Sequence, residues 1–453
     1  MRIQTAHFGS ADLEKMISRL RVSLNGIAEI VSTASAGKTV EVFGKPLSVR
    51  EVVQRIVRDV RIEGDVAVAR YTQKLDRVAL PPEDFRVAPD VVRGALDTVP
   101  GALVDSLRLA DRQIREFQKT LLPADPPPLV GAGTEARVRY RPLRRVGVCV
   151  PGSAAPLPST VLMAVIPAQV AGVKEIAVCT PVQADGRIAP VVLAAAALVG
   201  VDEVYQIGGV QAVAAMALGT ETVRRVDKVA GPGNMFVTEA KRQLFGEVGI
   251  DSLAGPSEVL IIADYTAKPE YVAADMISQA EHDPGCAVLL TDCEELVPKV
   301  ERALNHQLAE LPRREAARAS LEHYGMIAVT RNLDQAVQLA DAFGPEHLEI
   351  MTKMPEVAAD KIFNAGAIFL GANTPEAVGD YVAGPSHVLP TAGAARFMSA
   401  LSVRDFLRGT SIVAYSRQAL EAVADDIVRI AEAEGLTAHA ASVLVRFEAR
   451  RRR

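Results

Sequence analysis

The sequence predicts an α/β fold: two doubly wound parallel sheets, with small helical segments at the N- and C-terminal ends. Three observations carry this expectation. From about residue 144 onward, short apolar runs alternate with helical patterns of roughly ten to fifteen residues, the signature of βαβ units. The ends of those runs carry VPG, TP, IGG and AGPGN, turn-forming sequences at the strand ends where open α/β sheets bind their ligands. The 453 residues are 49% hydrophobic, 23% charged and 4% aromatic with no Trp, which supplies enough apolar material for more than one core.

Along the chain, residues 11–35 alternate polar and apolar groups at helical spacing and predict an N-terminal helical arm. Residues 49–75 repeat apolar side chains at i, i+3, i+4 and i+7, and residues 91–120 do the same. LLPADPPPLVGAG, residues 121–133, is rich in Pro and Gly and predicts a linker. YRPLRRVGVCVPG then predicts a strand, STVLMAVIPAQVAGV a helix, EIAVCTP a strand, PVVLAAAALVG a helix, EVYQIGG a strand and VQAVAAMALGT a helix. VDKVAGPGN reads as a strand running into a Gly-rich turn. A second set of buried strands is expected at EVLIIAD, CAVLLTD, MIAVTR and GAIFLG, separated by PEYVAADMISQAEH and LDQAVQLADAF as helices. The last sixty residues read as mostly helical.

Composition excludes several classes. The formal net charge is −5 and the pI about 5.9, with no basic face beyond Arg450–Arg453, so no nucleic-acid partner is expected. Cys149, Cys179, Cys286 and Cys293 show neither CxxC nor zinc-finger spacing, which argues against a disulfide-stapled chain. The charged N-terminal stretch lacks the apolar core of a signal peptide, and Val191–Val199 is far short of the ~20 residues of a membrane span. A cytoplasmic protein with no membrane partner is the expectation.

Two patterns suggest chemistry. AGPGN, Ala230–Asn234, follows a strand and opens a helix, so its N–H groups suit an anion or a dinucleotide pyrophosphate; a plain turn accounts for it equally. The chain has seven histidines. His282 follows Gln279 on one helix face, and either a metal pair or a polar helix end accounts for it. His347 follows Glu346, His387 follows Asp380, and His439 follows Glu434. Zinc accepts imidazole and carboxylate donors, so Gln279, His282, Asp380 and His439 could form a tertiary metal site.

The motifs VPGSAAPLPSTVLM, GGVQAVAAMALGT, VDKVAGPGNMFVTEAKRQL, IDSLAGPSEVLIIAD, ISQAEHDP, FGPEHLEI, VGDYVAGPSHVLPTAGAARF, LSVRDFL and AEGLTAH occur in the order found in histidinol dehydrogenases, which the chain therefore resembles over nearly its whole length. The resemblance implies NAD-dependent, four-electron oxidation of L-histidinol to L-histidine through an aldehyde, the last step of histidine biosynthesis. It implies one zinc per subunit on Gln279, His282, Asp380 and His439, with Glu346 and His347 as the catalytic pair. Ser257, His387 and Glu434 match substrate positions, joined by Gln279, His282, His347, Asp380 and His439. Gln211 and Asn234 match NAD positions, and Cys149 stands where the family commonly has a cofactor-side Tyr, with Ser153 in place of a Gly.

The implied domains are incomplete Rossmann-like, aldehyde-dehydrogenase-like units. Residues 1–22 form an arm, 23–140 with 256–392 a zinc domain, and 141–255 a dinucleotide domain. Residues 393–453 complete the partner's site in an intertwined homodimer.

Overall fold

The computed structural model describes residues 3–7, 13–27, 39–152, 156–183, 185–282, 285–312 and 314–447. Two units divide the chain: Met1–Leu121 with Leu143–Phe406, and Leu122–Pro142 with Leu407–Arg453.

The first unit carries two sheets, both wholly parallel. The larger takes β1 (Gln4–His7), β11 (Gly325–Val329), β10 (Gly285–Thr291), β9 (Ser257–Ala263), β12 (His347–Met351) and β13 (Ala367–Leu370) in that spatial order. Its middle strands are buried on both faces, which is why they read as unbroken apolar runs. One face packs Val259, Ile261 and Leu289 against the Pro269–Ala280 and Val297–Glu310 helices. The other packs Leu260, Ile262, Leu348 and Ile350 with Leu13, Ile17 and Leu20 of the Leu13–Ile27 helix. Those three leucine and isoleucine side chains lie at i, i+4 and i+7, so one face of the helix is apolar.

The smaller sheet runs β6 (Val204–Tyr205), β5 (Glu175–Cys179), β4 (Arg145–Cys149), β7 (Lys228–Ala230) and β8 (Gly249–Ile250). The Val49–Glu63 helix starts at a capping box between Ser48 and Glu51 and sets Val52, Val53, Ile56 and Val60 against Val213, Met216 and Val229. At the base of this sheet the buried Arg145 reaches Glu203 and, at 3.2 Å, Glu175.

The second unit is an antiparallel sheet and two helices. β14 (Leu407–Tyr415) pairs along its length with β3 (Thr134–Pro142), which also pairs with β2 (Leu129–Gly131). Ser416 caps the Arg417–Ala433 helix, and Gly435, at φ +73°, turns the chain into the Thr437–Leu444 helix.

Several expectations change. The N-terminal arm begins with a strand, and residues 28–35 lie outside the described residues. The 49–75 pattern breaks at Gly64, at φ +55°, where a Cβ would meet the Glu221 carboxylate. The 121–133 linker contributes β2, and the final sixty residues contain the nine-residue β14. Residues 47–85 share the core of the smaller sheet, and 122–142 join the C-terminal segment. Local periodicity could not reveal partners separated by over a hundred residues. Among the described residues no helix is long and apolar enough to cross a membrane.

Candidate active site

The candidate site is built on β9, β12 and two short helical ends. HLEIM alternates: Leu348 and Ile350 enter the apolar cluster on one face, so His347 and Glu349 project from the other. In the parallel register His347 faces Val259, which brings Glu346 beside Glu258. The Glu258 N–H donates to Glu346 Oε2 at 2.9 Å, and His347 Nδ1 lies 3.2 Å from the Glu258 carbonyl oxygen. Nδ1–H is the donor that this carbonyl demands. The proton-accepting nitrogen is then Nε2, which is buried with no hydrogen-bond partner among the described residues, 3.7 Å from Asp380 Oδ1.

Asp380 and Glu376 sit one turn apart on the Glu376–Tyr381 helix, so both carboxylates face the same way. One ligand atom from each of His347, Glu376 and Asp380 lies within 4.8 Å of the others. Gln279, fully buried at the end of the Pro269–Ala280 helix, donates its amide nitrogen to the Glu376 oxygens at 3.1 and 3.2 Å, the orientation its neighbours require. That leaves the amide oxygen as the donor atom for a cation. His282 follows at the exposed helix end, close enough for its charge to act on Asp380 and His387. Gly285 lets the chain pass beneath the Gln279 and His282 carbonyls, where a Cβ would collide.

Behind these groups Glu349 accepts the Glu376 N–H at 2.8 Å, and Asp275 lies one turn before Gln279 on its helix. Burial, then the Asp275 charge, push the Glu349 carboxyl far up.

Electrostatically the cluster is overloaded with negative charge. Burial pushes Glu346 up to about 8 and Glu376 up to about 7. Burial alone would lower His347, but Glu346, Glu376 and Asp380 hold it at about 10. Burial pushes Asp380 up, but the charge of the His347 imidazole 3.7 Å away outweighs it and holds the carboxyl below its usual range. A divalent cation among these carboxylates would offset their pull on the imidazole and return it to the range of a base.

The remaining expected residues are placed as follows. His387 Nδ1 lies 3.1 Å from the Asp380 carbonyl oxygen and Nε2 3.3 Å from Thr160 Oγ1, and burial depresses its pKa, so it is a neutral ring with both nitrogens engaged. Ser257 begins β9 immediately before Glu258. Gln211, 1% exposed, donates to Asp76 at 3.2 Å while its Oε1 has no partner among the described residues.

Asn234 caps the Met235–Leu244 helix, Oδ1 accepting from Phe236 and Val237 at 3.0 and 3.2 Å; its Nδ2 takes no part in the cap. Its turn is pinned from behind by Lys241, which donates to the Gly231 carbonyl and, at 2.6 Å, to Asp251. Gly231, at φ +107°, packs against the Cys149 carbonyl where no Cβ fits. Cys149 belongs to the apolar core with Val210 and Val213, and burial pushes its thiol up to about 12. Ser153 lies outside the described residues. Glu434 and His439 belong to the second unit, where both are exposed in the single chain.

Over residues 44–447 the sequence matches the profile of histidinol dehydrogenase. The chain belongs to the histidinol dehydrogenase family. It is 45% identical over 439 residues to histidinol dehydrogenase of Rhodopirellula baltica, covering 97% of this chain and 95% of that one. It is 49% identical over 396 residues to that of Parasynechococcus marenigrum, covering 87% and 90%. The crystal structure of histidinol dehydrogenase from Elizabethkingia anophelis superposes with a TM-score of 0.86 at 34% identity, covering 99% of this chain and 98% of that one. Membership makes this histidinol dehydrogenase family chain an NAD-dependent oxidoreductase of histidine biosynthesis.

Of the motif residues, the structure brings together Glu346, His347, Gln279 and Asp380, with His387 and His282 around them. Sequence reasoning missed Glu376, Glu258, Glu349 and Asp275. The i, i+4 spacing of Glu376 with Asp380, and of Asp275 with Gln279, was the available signal for two of them; Glu258 and Glu349 are brought in by strand register.

Proposed function

We propose that this chain oxidises L-histidinol to L-histidine in two NAD-linked steps through an aldehyde that stays bound. The observation that carries the proposal is the buried Glu346–His347 pair, with an imidazole Nε2 that has no hydrogen-bond partner among the described residues and faces a cluster of carboxylates.

The residues present fit zinc. An amide oxygen, an imidazole nitrogen and a carboxylate from Gln279, His282 and Asp380 are borderline-hard donors suited to it, and the excess negative charge favours a dication. His439 of the partner subunit would supply the fourth position. Bound zinc supplies a Lewis acid that orients the substrate's imidazole and amino nitrogens. NAD supplies the hydride acceptor in both steps, with Gln211 and Asn234 as its amide contacts.

The chain's own residues handle the protons. His347 Nε2 removes the hydroxyl proton as the carbinol carbon loses hydride, its ring held by the Glu258 carbonyl behind Nδ1. Glu346 then takes a proton from the water that adds to the aldehyde carbon, and His347 takes the next from the hydrate as the second hydride leaves. Ser257, His387 and Glu434 hold the substrate's polar ends. No thiol is needed, and the buried, un-ionised Cys149, Cys179 and Cys286 have no such part.

A homodimer with shared sites is part of this proposal. Glu434 and His439 are exposed on a unit that also exposes Leu129, Val130, Val413, Tyr415 and Ile430, an apolar surface suited to a second copy. The decisive test is NADH yield from limiting L-histidinol and excess NAD, before and after chelation. Two NADH per substrate, abolished by the chelator and restored by zinc, is the expected result. Absence of NADH from folded, zinc-loaded dimer would overturn the substrate assignment.

A further inference from the structure

The Leu13–Ile27 helix carries one buried charge, Arg21, on the same face as Leu13, Ile17 and Leu20. Its guanidinium makes four attachments. Nη1 donates to the Glu258 carboxylate. Nη2 donates to the carbonyl oxygens of Phe343 at 2.8 Å and Gly344 at 3.5 Å. The guanidinium carbon also lies 3.6 Å from the centroid of the Phe343 ring.

Each attachment leads to the catalytic pair. Glu258 is the residue whose N–H holds Glu346 and whose carbonyl holds His347. Phe343 and Gly344 end the Leu333–Phe343 helix, and Glu346 follows two residues later. Their carbonyls are the unsatisfied groups of a helix C-terminus, where a cation is favoured.

We propose that Arg21 is a positioning residue for the oxidation: one guanidinium clamps the start of β9 to the turn preceding β12 and so fixes the separation of Glu258, Glu346 and His347. This rests on the reading that Glu346 and His347 do the chemistry. A buried ion pair is poor evidence of a contribution to stability, since an apolar pair of equal shape commonly serves as well. What the apolar pair cannot do is grip a carboxylate and two carbonyls at once while stacking on a ring, a geometry that needs the planar fork of arginine. The clamp also answers the charge of Glu258: burial drives its carboxyl up and Arg21 opposes this most strongly. The N-terminal segment thereby acts on chemistry it does not touch.

The test compares Arg21→Met, Arg21→Lys and the double variant Arg21→Met/Glu258→Gln with Glu346→Gln and His347→Asn, in the full-length zinc-loaded protein well below each melting temperature. A displacement of the pair by about an ångström lowers kcat on the order of a hundredfold. Arg21→Met is expected to lose kcat on that scale, with KM for histidinol and for NAD within about twofold and zinc content unchanged. Arg21→Lys recovers part of it. Should Arg21→Met fail to fold, the charge-neutral double variant, which leaves no buried charge unpaired, carries the test and is expected to be folded and slow.

Wild-type kcat in folded Arg21→Met or in the double variant overturns the proposal, as does a loss that tracks zinc or KM. If Glu346→Gln and His347→Asn are themselves as active as wild type, the reading of the catalytic pair fails instead.

Discussion

Glu258 holds Glu346 and His347 through its main chain alone, its N–H donating to one at 2.9 Å and its carbonyl lying 3.2 Å from the other. Side-chain exchange at position 346 therefore leaves the frame in place. Glu346→Gln keeps an acceptor for the Glu258 N–H and loses only the base. The variant should retain zinc and the first oxidation while the second slows by about a hundred- to a thousandfold. Single-turnover absorbance should then show one NADH per histidinol where wild type gives two.

Metal retention separates the residues around Asp380. His282→Ala and Asp380→Asn each remove a donor and should leave the protein largely zinc-free after gel filtration. Glu376→Ala removes the partner that orients the Gln279 amide, a lesser loss of about ten- to a hundredfold in affinity. Metal analysis against Glu346→Gln as the retained control reads all three. Full occupancy in His282→Ala would take that residue out of the ligand set.

Subunit sharing has a sharp signature. On the proposed reading, chains carrying His439→Ala and chains carrying His347→Asn should each be inactive by themselves. If His439 acts across the dimer, refolding them together gives heterodimers with one intact site. A one-to-one mixture should recover roughly a quarter of wild-type activity. Sites built within single chains recover none.

Asp76, the acceptor for Gln211, offers a stability test. Burial raises its carboxyl from 3.8 to about 6, against which the Gln211 amide works. The folded state thus binds this proton more tightly than the unfolded chain, and stability falls as pH rises from about 4 to about 6. Asp76→Asn keeps an acceptor for Gln211 and abolishes that loss. After allowance for partial exposure, it should gain about 1 to 2 kcal/mol at pH 7 and nothing at pH 4, by denaturant titration.

Much of the fold was legible because buried parallel strands and amphipathic helices write their periods directly into the sequence, as in EVLIIAD and VREVVQRIV. The ordered motifs likewise marked Glu346, His347, Gln279 and Asp380. What stayed hidden depended on pairing between distant segments. HLEIM is a strand because β9 and β13 flank it, and Glu258 joins the site through a register spanning 88 residues. That Cys149 packs with Val210 and Val213 likewise depends on neighbours sixty residues away. Arg21 looks like one more charge on a polar helix until its face is seen to be buried.

β1 pairs with β11, Gln4 opposite Met326, so β1 leaves the ribosome long before its partner has been made. At roughly 5 to 20 residues per second that wait lasts on the order of 15 to 60 seconds. During it the segment bearing Arg21 is exposed to chaperones and proteases, and afterwards β1 covers what would be a bare sheet edge at β11. One edge of the larger sheet is thus closed by a strand made more than three hundred residues before its partner, so substitutions that weaken β1 should show first as slow or incomplete maturation.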